Sequence, residues 1–169
     1  YGKFAMKKAV IIGGGFAGST AARSLENKFS VSLIDTKNYF EFTPGILRTI
    51  VEPEHIKKIQ VLHSHYLSKA EIIIGKVDNV SDKNVIVNKK KIPFDYLIIC
   101  SGSRYELPIK EQLVISATRA EHLRKYSIKL EESKNVLLIG GGVVGVELAG
   151  EICTHYKDKN VTIVHSGPV

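Results

Sequence analysis

Apolar residues fall in short runs whose spacing switches between two kinds. Val10-Ile11-Ile12 and Leu137-Leu138-Ile139 are unbroken apolar runs, as expected of strands covered on both faces. Each runs into three consecutive glycines. Beyond the glycines, small and apolar residues recur at helical spacing, Ala17, Ala21 and Leu25 after the first run and Val144, Leu148 and Ile152 after the second. A further strand is predicted after each helix, over residues 31–34 and 161–164. The order strand, tight turn, helix, strand thus occurs twice, giving the openings of two βαβ units. Between them the pattern predicts short strands at Ile72-Ile73-Ile74 and over residues 76–80, 85–87 and 96–100, with turn residues at Ser81-Asp82 and Asn88. That reads as a small β-meander leading back to a buried strand. Residues 102–116, with Gly102 and Pro108, read as a crossing between the halves, and residues 117–133 as a charged amphipathic helix.

The two glycine segments are copies of one another. Val10-Ile11-Ile12-Gly13-Gly14-Gly15-Phe16-Ala17-Gly18 matches Leu137-Leu138-Ile139-Gly140-Gly141-Gly142-Val143-Val144-Gly145 at an offset of 127 residues. In the spacing Gly13-x-Gly15-x-x-Gly18 the first glycine permits a tight turn, the second admits a pyrophosphate to the backbone, and the third lets helix and strand pack closely. Phosphates then sit at the helix N-terminus, here at Phe16 and Ala17, where free N–H groups and the helix dipole favour negative charge. One such match is weak evidence; two, each after a strand and before a helix, are strong.

Asp35 closes the second strand of the first unit, 17 residues after Gly18, where a carboxylate accepts hydrogen bonds from the hydroxyls of an adenosine ribose. This supports an unphosphorylated ribose, as in FAD. In the second unit the corresponding position, 20 residues after Gly145, is His165, followed by Ser166 and Gly167. A histidine and a serine hydroxyl suit a 2′-phosphate and suit equally a covering role over adenine, so NAD against NADP stays open.

Composition narrows the picture. A chain of 169 residues, 44% apolar and 24% charged, can bury one good core or two small ones. The formal charge of +7 raises the question of an acidic partner. The lysines are nevertheless spread, apart from Lys89-Lys90-Lys91, which reads as a hairpin turn on a solvated surface, so nucleic acid is not expected. Cys100 and Cys153 lack CxxC spacing and read as inert core thiols in a reducing, cytoplasmic compartment, without a disulfide or metal knuckle. His63 and His65 read as surface residues beside Tyr66 rather than zinc ligands. No apolar run reaches the roughly 20 residues that span a bilayer. No secretory signal precedes the first strand, and residues 1–5, ahead of Met6, read as a remnant. The chain ends soon after its last predicted strand, so the second unit is expected to be incomplete and the chain a piece of a longer protein, because a half-built parallel sheet exposes edges and apolar faces.

With these residues assembled, the chain resembles the two-dinucleotide-binding flavoprotein superfamily, the pyridine nucleotide-disulfide oxidoreductases, from Lys7 to His165. Phe94-Asp95-Tyr96-Leu97-Ile98-Ile99-Cys100-Ser101-Gly102-Ser103 is similar to the second FAD signature of that family, with Cys100-Ser101 in place of the usual Ala-Thr. Gly145-Val146-Glu147-Leu148-Ala149 matches its Gly-x-Glu-x-Ala continuation. Tyr39-Phe40-Glu41-Phe42-Thr43-Pro44-Gly45-Ile46-Leu47 looks like the aromatic and proline segment of type II NADH dehydrogenases and apoptosis-inducing-factor-like quinone reductases. The resemblance implies an α/β fold of two Rossmann-like units with the small meander between them. An FAD domain would cover residues 6–105, and a linker with the start of an NAD(P)H domain residues 106–169.

It also implies chemistry and roles. FAD would contact Gly13, Gly15, Phe16, Ala17, Gly18, Asp35, Thr36, Lys37, Pro44, Val77 through its backbone, Ser101 and Gly102. NAD(P)H would contact Gly142, Gly145 and Glu147, the glutamate orienting the nicotinamide. The expected activity is an NAD(P)H dehydrogenase of the NADH:quinone type, with hydride passing from nicotinamide to flavin and electrons from flavin to a small quinone-like acceptor. The alternatives are a ferredoxin or rubredoxin reductase serving a small redox protein, and a nucleotide-binding module without turnover. No cysteine precedes Cys100, which excludes thiol-disulfide chemistry through a CxxxxC pair, or through a single cysteine near Thr43 or Pro44. Completion of the FAD domain, homodimer contacts and any membrane attachment are expected from a C-terminal region, and residues 1–169 alone are expected to turn over poorly.

Overall fold

The computed structural model describes residues 5–103 and 116–167. The expected crossing falls mostly on residues 104–115, outside the described residues, as do residues 1–4 and Pro168-Val169. The described residues divide into two compact units, one over 5–42 and 60–103 and the other over 43–59 and 117–167.

In the first unit the strand β1 (Lys8–Ile12) is central, with β2 (Ser30–Asp35) and β9 (Tyr96–Ile99) beside it and β5 (Glu71–Ile74) outside β2. All three pairings are parallel. Alternate residues of β1 face opposite ways. Ala9 and Ile11 pack with Ala22 of the helix α1 (Phe16–Leu25) and with Val31, Leu33 and Leu67, while Val10 packs on the other side with Ile34, Val85 and Val87. The second layer comes from an antiparallel sheet of β6 (Val77–Val80), β7 (Asn84–Val87) and β8 (Lys90–Pro93). The unbroken apolar run of β1 follows from this double coverage.

The expected meander is this three-stranded sheet, but the isoleucine run is not part of it. Ile72-Ile73-Ile74 forms the outer parallel strand, in register with Leu33, Ile34 and Asp35. A run of β-branched residues without alternation suits a parallel strand covered on both sides better than a hairpin arm. The hairpin turn expected at the lysine triplet is present, with Asn88 and Lys89 at φ 50° and 62° and all three lysines exposed. Two consecutive positive φ values are the geometry that a tight two-residue hairpin requires.

A short antiparallel pair, β3 (Tyr39–Glu41) with β4 (Gln60–Leu62), and the single-turn helix α4 (His63–Tyr66) complete the first unit. Its turn to β5 is pinned by Glu26, whose buried carboxylate accepts the N–H groups of Ser68, Lys69 and Ala70 at 2.9, 2.8 and 3.2 Å.

The second unit pairs β10 (Asn135–Ile139) in parallel with β11 (Asn160–Val164), joined by the helix α6 (Val143–His155). The charged helix α5 (Ser116–Glu132) precedes them, one residue earlier than expected at each end. The short helices α2 (Arg48–Val51) and α3 (Ile56–Ile59) belong to this unit. Ile46, Leu47, Ile50, Val51, Ile56 and Ile59 share one core with Leu123, Leu130 and Ile152. Arg48 pairs with Glu151 at 3.2 Å across the same contact.

Candidate functional site

The two glycine loops have the same construction. Gly13 and Gly140 sit at φ +98° and +111°, a left-handed region that favours glycine. Each donates its N–H to the end of the neighbouring strand, Gly13 to Ile34 O at 2.7 Å and Gly140 to Val164 O at 2.8 Å. The third glycine of each loop packs against the first. A Cβ on Gly18 would lie 1.7 Å from Gly13 O, and one on Gly145 would lie 1.9 Å from Gly140 O. The second glycine differs, because a Cβ added at Gly15 or Gly142 meets nothing within 4 Å. Gly15 and Gly142 are also the N-caps of α1 and α6, and neither helix start has a side-chain cap. Each loop therefore presents unfilled space in front of backbone N–H groups that lack intrahelical partners, an arrangement that can receive an anion.

Around the first loop the fold gathers most of the expected residues. Gly15, Phe16 and Ala17 are exposed, and Phe16 stands edge-on to Phe40 and Phe42 at 5.1 and 5.7 Å between ring centroids. A Cβ on Gly13 would meet Cys100 O at 2.2 Å and Ser101 Cα at 3.3 Å, so Cys100-Ser101, just past β9, lies directly against the loop. Gly102 has φ +68° and open space at its Cα. Asp35 stands at the C-terminal end of β2, its Oδ1 accepting the Thr36 N–H at 2.7 Å. Lys37 is half-buried and holds its ammonium over the Tyr39 ring at 5.4 Å. Val77 lies two residues beyond Gly75, whose N–H donates to Asp35 O at 2.8 Å. Pro44 lies in a single turn of 3-10 helix, Thr43–Gly45, and belongs to the second unit.

At the second loop, His165 follows β11 and its Nδ1 accepts the Gly141 N–H at 3.2 Å. Its other ring nitrogen is thereby the N–H donor of a neutral imidazole. Glu147 is exposed in the second turn of α6, one turn beyond the loop.

Two expectations are corrected. His63 is fully buried rather than a surface residue, because both ring nitrogens have partners: Nε2 lies 3.1 Å from Asp35 Oδ2 and Nδ1 lies 2.6 Å from the Tyr66 hydroxyl. His65 is exposed. Cys153 is exposed rather than a core thiol; Ile152 is the buried residue of α6, and one residue further along a helix turns the side chain about 100° away. Cys100 is half-buried against the Ala9 and Ile11 cluster, as expected.

Sequence reasoning passed over Gly14 together with His63. A Cβ at Gly14 would lie 2.6 Å from Asp35 Oδ2 and 2.5 Å from His63 Cε1, and one at Gly141 would lie 3.1 Å from the His165 Cβ. The middle glycine of each triplet thus faces the residue that ends the second strand. The middle glycine of the triplet, beyond what the GxGxxG spacing needs, was the available signal.

The model of the family described as pyridine nucleotide-disulphide oxidoreductase matches residues 7–169. The chain belongs to this family. Among curated members, it is 35% identical over 170 residues to apoptosis-inducing factor homolog B of Dictyostelium discoideum, covering 95% of this chain and 44% of that protein. It is 34% identical over 162 residues to human ferroptosis suppressor protein 1, covering 93% and 43%. The chain thus spans less than half the length of these pyridine nucleotide-disulphide oxidoreductase relatives. Among solved structures, NDH2 from Plasmodium falciparum in complex with NADH superposes with a TM-score of 0.70 at 22% identity, covering 96% of this chain and 42% of that one. The sulfide:quinone oxidoreductase of Aquifex aeolicus does so with a TM-score of 0.72 at 24% identity, covering 96% and 44%. These two share the fold. Among the described residues no helix is long and apolar enough to cross a membrane.

Proposed function

We propose that the protein containing this chain is an FAD-dependent NAD(P)H oxidoreductase that delivers electrons to a quinone-like acceptor, with FAD on residues 6–105 and a linker and the beginning of the NAD(P)H domain on residues 106–169. The observation that carries this reading is the duplicated loop. Both copies have a left-handed first glycine, open space at the second, and a third packed against the first. Glycines used only to close a turn need no open space before an uncapped helix. A pyrophosphate does.

Bound FAD would supply the hydride acceptor and the relay of electrons. The chain's own residues bind and orient. The N–H groups at Phe16, Ala17 and Gly18 would receive the pyrophosphate, Asp35 the adenosine ribose, and Thr36, Lys37 and the Val77 backbone the adenosine, while Ser101 and Gly102 would border the flavin. Gly142 and Gly145 form the loop for the nicotinamide nucleotide, and Glu147 orients its nicotinamide. Just past β11, His165 stands where a carboxylate would oppose a 2′-phosphate, so NADH and NADPH are both admitted as donors. The cluster of exposed Phe16 and Phe42 with half-buried Phe40, together with the likeness of residues 39–47 to quinone reductases, supports a planar aromatic acceptor. Two free cysteines suit a reducing, cytoplasmic setting, and a homodimer would be formed by regions beyond this chain.

Purified full-length protein should show flavin absorption that bleaches on anaerobic addition of NADH or NADPH. A colourless protein that cannot be reconstituted with FAD would overturn the proposal in favour of a nucleotide-binding module. The charge of +7 favours a second reading, an acidic iron-sulfur protein as acceptor. That acceptor would be reduced at a rate that falls steeply with salt, whereas reduction of a neutral quinone would not.

A further inference from the structure

We infer that His63 is a positioning residue for the adenosine half of FAD: from the buried side of the first unit it holds the Asp35 carboxylate in the orientation that receives the ribose hydroxyls. The inference rests on the reading of the first loop as the FAD site.

An unbraced Asp35 at a strand end would choose among rotamers and lose that freedom on binding. Here both oxygens are already directed, Oδ1 by the Thr36 N–H at 2.7 Å and Oδ2 by the His63 ring at 3.1 Å. Each carboxylate oxygen accepts two hydrogen bonds, so the braced group keeps capacity for two ribose hydroxyls. The Asp35 side chain is 10% exposed and the His63 side chain 0%, which leaves the carboxylate reachable and its brace sealed from water.

The brace is itself oriented. Tyr66 lies 2.6 Å from His63 Nδ1 and is held protonated, its pKa pushed up to about 12, first by burial and then by the charge of Asp35. Because a carboxylate only accepts, the ring N–H on Nε2 donates to Asp35, and Nδ1 of a neutral imidazole then accepts from the phenol. Hydrogen-bond complementarity assigns this tautomer. The loop leaves the relay its space through Gly14, where a Cβ would lie within 2.6 Å of both Asp35 and His63. Second-layer hydrogen bonds of this kind fix a ligand-binding group in its productive orientation before the ligand arrives.

The test measures reconstitution of the full-length apoprotein with FAD and with an FAD analogue lacking the 2′ and 3′ hydroxyls of the adenosine ribose. The variants are H63L, which removes the donor, H63Q, which keeps an N–H near Nε2, and Y66F, which removes the donor to Nδ1 with little change of volume. Loss of one oriented hydrogen bond to a carboxylate predicts that H63L binds FAD about tenfold or more weakly than wild type, and binds the dideoxy analogue equally well. H63Q should recover most of the FAD affinity, and Y66F should show a smaller loss of the same selectivity. If H63L does not fold, Y66F and H63Q carry the test. Equal weakening for FAD and the analogue, or no weakening in either H63L or Y66F, would overturn the inference while leaving the FAD reading intact. A wild-type protein that binds neither flavin would overturn that reading itself.

Discussion

Alanine at Gly15 and at Gly18 separates binding from folding within one loop. At Gly18 the new methyl would lie 1.7 Å from Gly13 O and 2.9 Å from Gly13 C, so α1 must retreat by well over an ångström or the turn at Gly13 must change. Overpacking of this kind costs about 1–3 kcal/mol, and the clash with rigid backbone places this site at the upper end. The gain from replacing a helical glycine offsets about 1 kcal/mol. The net loss of about 2 kcal/mol corresponds to a drop in melting temperature of roughly 8–16 °C for a unit of this size. At Gly15 the methyl meets nothing within 4 Å, and φ −76° with ψ −160° is extended backbone that alanine adopts. Lower entropy of the unfolded chain and a poorer N-cap oppose one another there, leaving stability within about 0.5 kcal/mol of wild type. Binding responds in the opposite way. The G15A methyl occupies the space before the helix N-terminus and displaces charge-assisted hydrogen bonds to the pyrophosphate, a loss of about 3 kcal/mol or roughly a hundredfold in FAD affinity. Thermal unfolding of both apoproteins and FAD titration by flavin fluorescence measure the two quantities. G15A that binds FAD like wild type, or G18A that melts with wild type, would refute the reasoning.

Two other substitutions have separate readouts. E26Q should destabilise the protein by about 1–3 kcal/mol at neutral pH, since a charged acceptor for three N–H groups becomes a neutral one. The Glu26 carboxyl is held below its ordinary value of 4.5, first by the Lys69 N–H, so its contribution is complete above that value and is lost as pH falls through the lowered folded-state pKa. The gap between wild type and E26Q in denaturant midpoint should therefore close on acidification; a gap independent of pH would contradict the assignment. H165D places a carboxylate at the end of β11, and the ratio of kcat/KM for NADPH over that for NADH should fall by about tenfold or more. An unchanged ratio would remove His165 from the nicotinamide-nucleotide site.

Much of this was legible along the chain because it depends on local rules. Val10-Ile11-Ile12 running into Gly13-Gly14-Gly15 encodes a covered strand and a turn that only glycine can make. The spacing to Gly18 encodes a helix packed against that turn, and the second copy at Gly140-Gly141-Gly142 repeats both. Asp35 was legible as the strand-end carboxylate because its distance from the glycines follows from one helix and one strand. The hairpin at Asn88-Lys89 was legible for the same local reason.

Other features needed the tertiary structure. Whether Ile72-Ile73-Ile74 joins a hairpin or lies beside β2 depends on which sheet has a free edge, and no local spacing carries that information. Residues 43–59 interrupt the first unit in sequence yet share a core with Leu123, Leu130 and Ile152, a choice made by long-range apolar packing. His63 looked like a surface histidine because Asp35, its partner besides the adjacent Tyr66, is not its neighbour in sequence. A buried imidazole is stable only when both nitrogens are satisfied, and Asp35 is brought to it from 28 residues away by the fold.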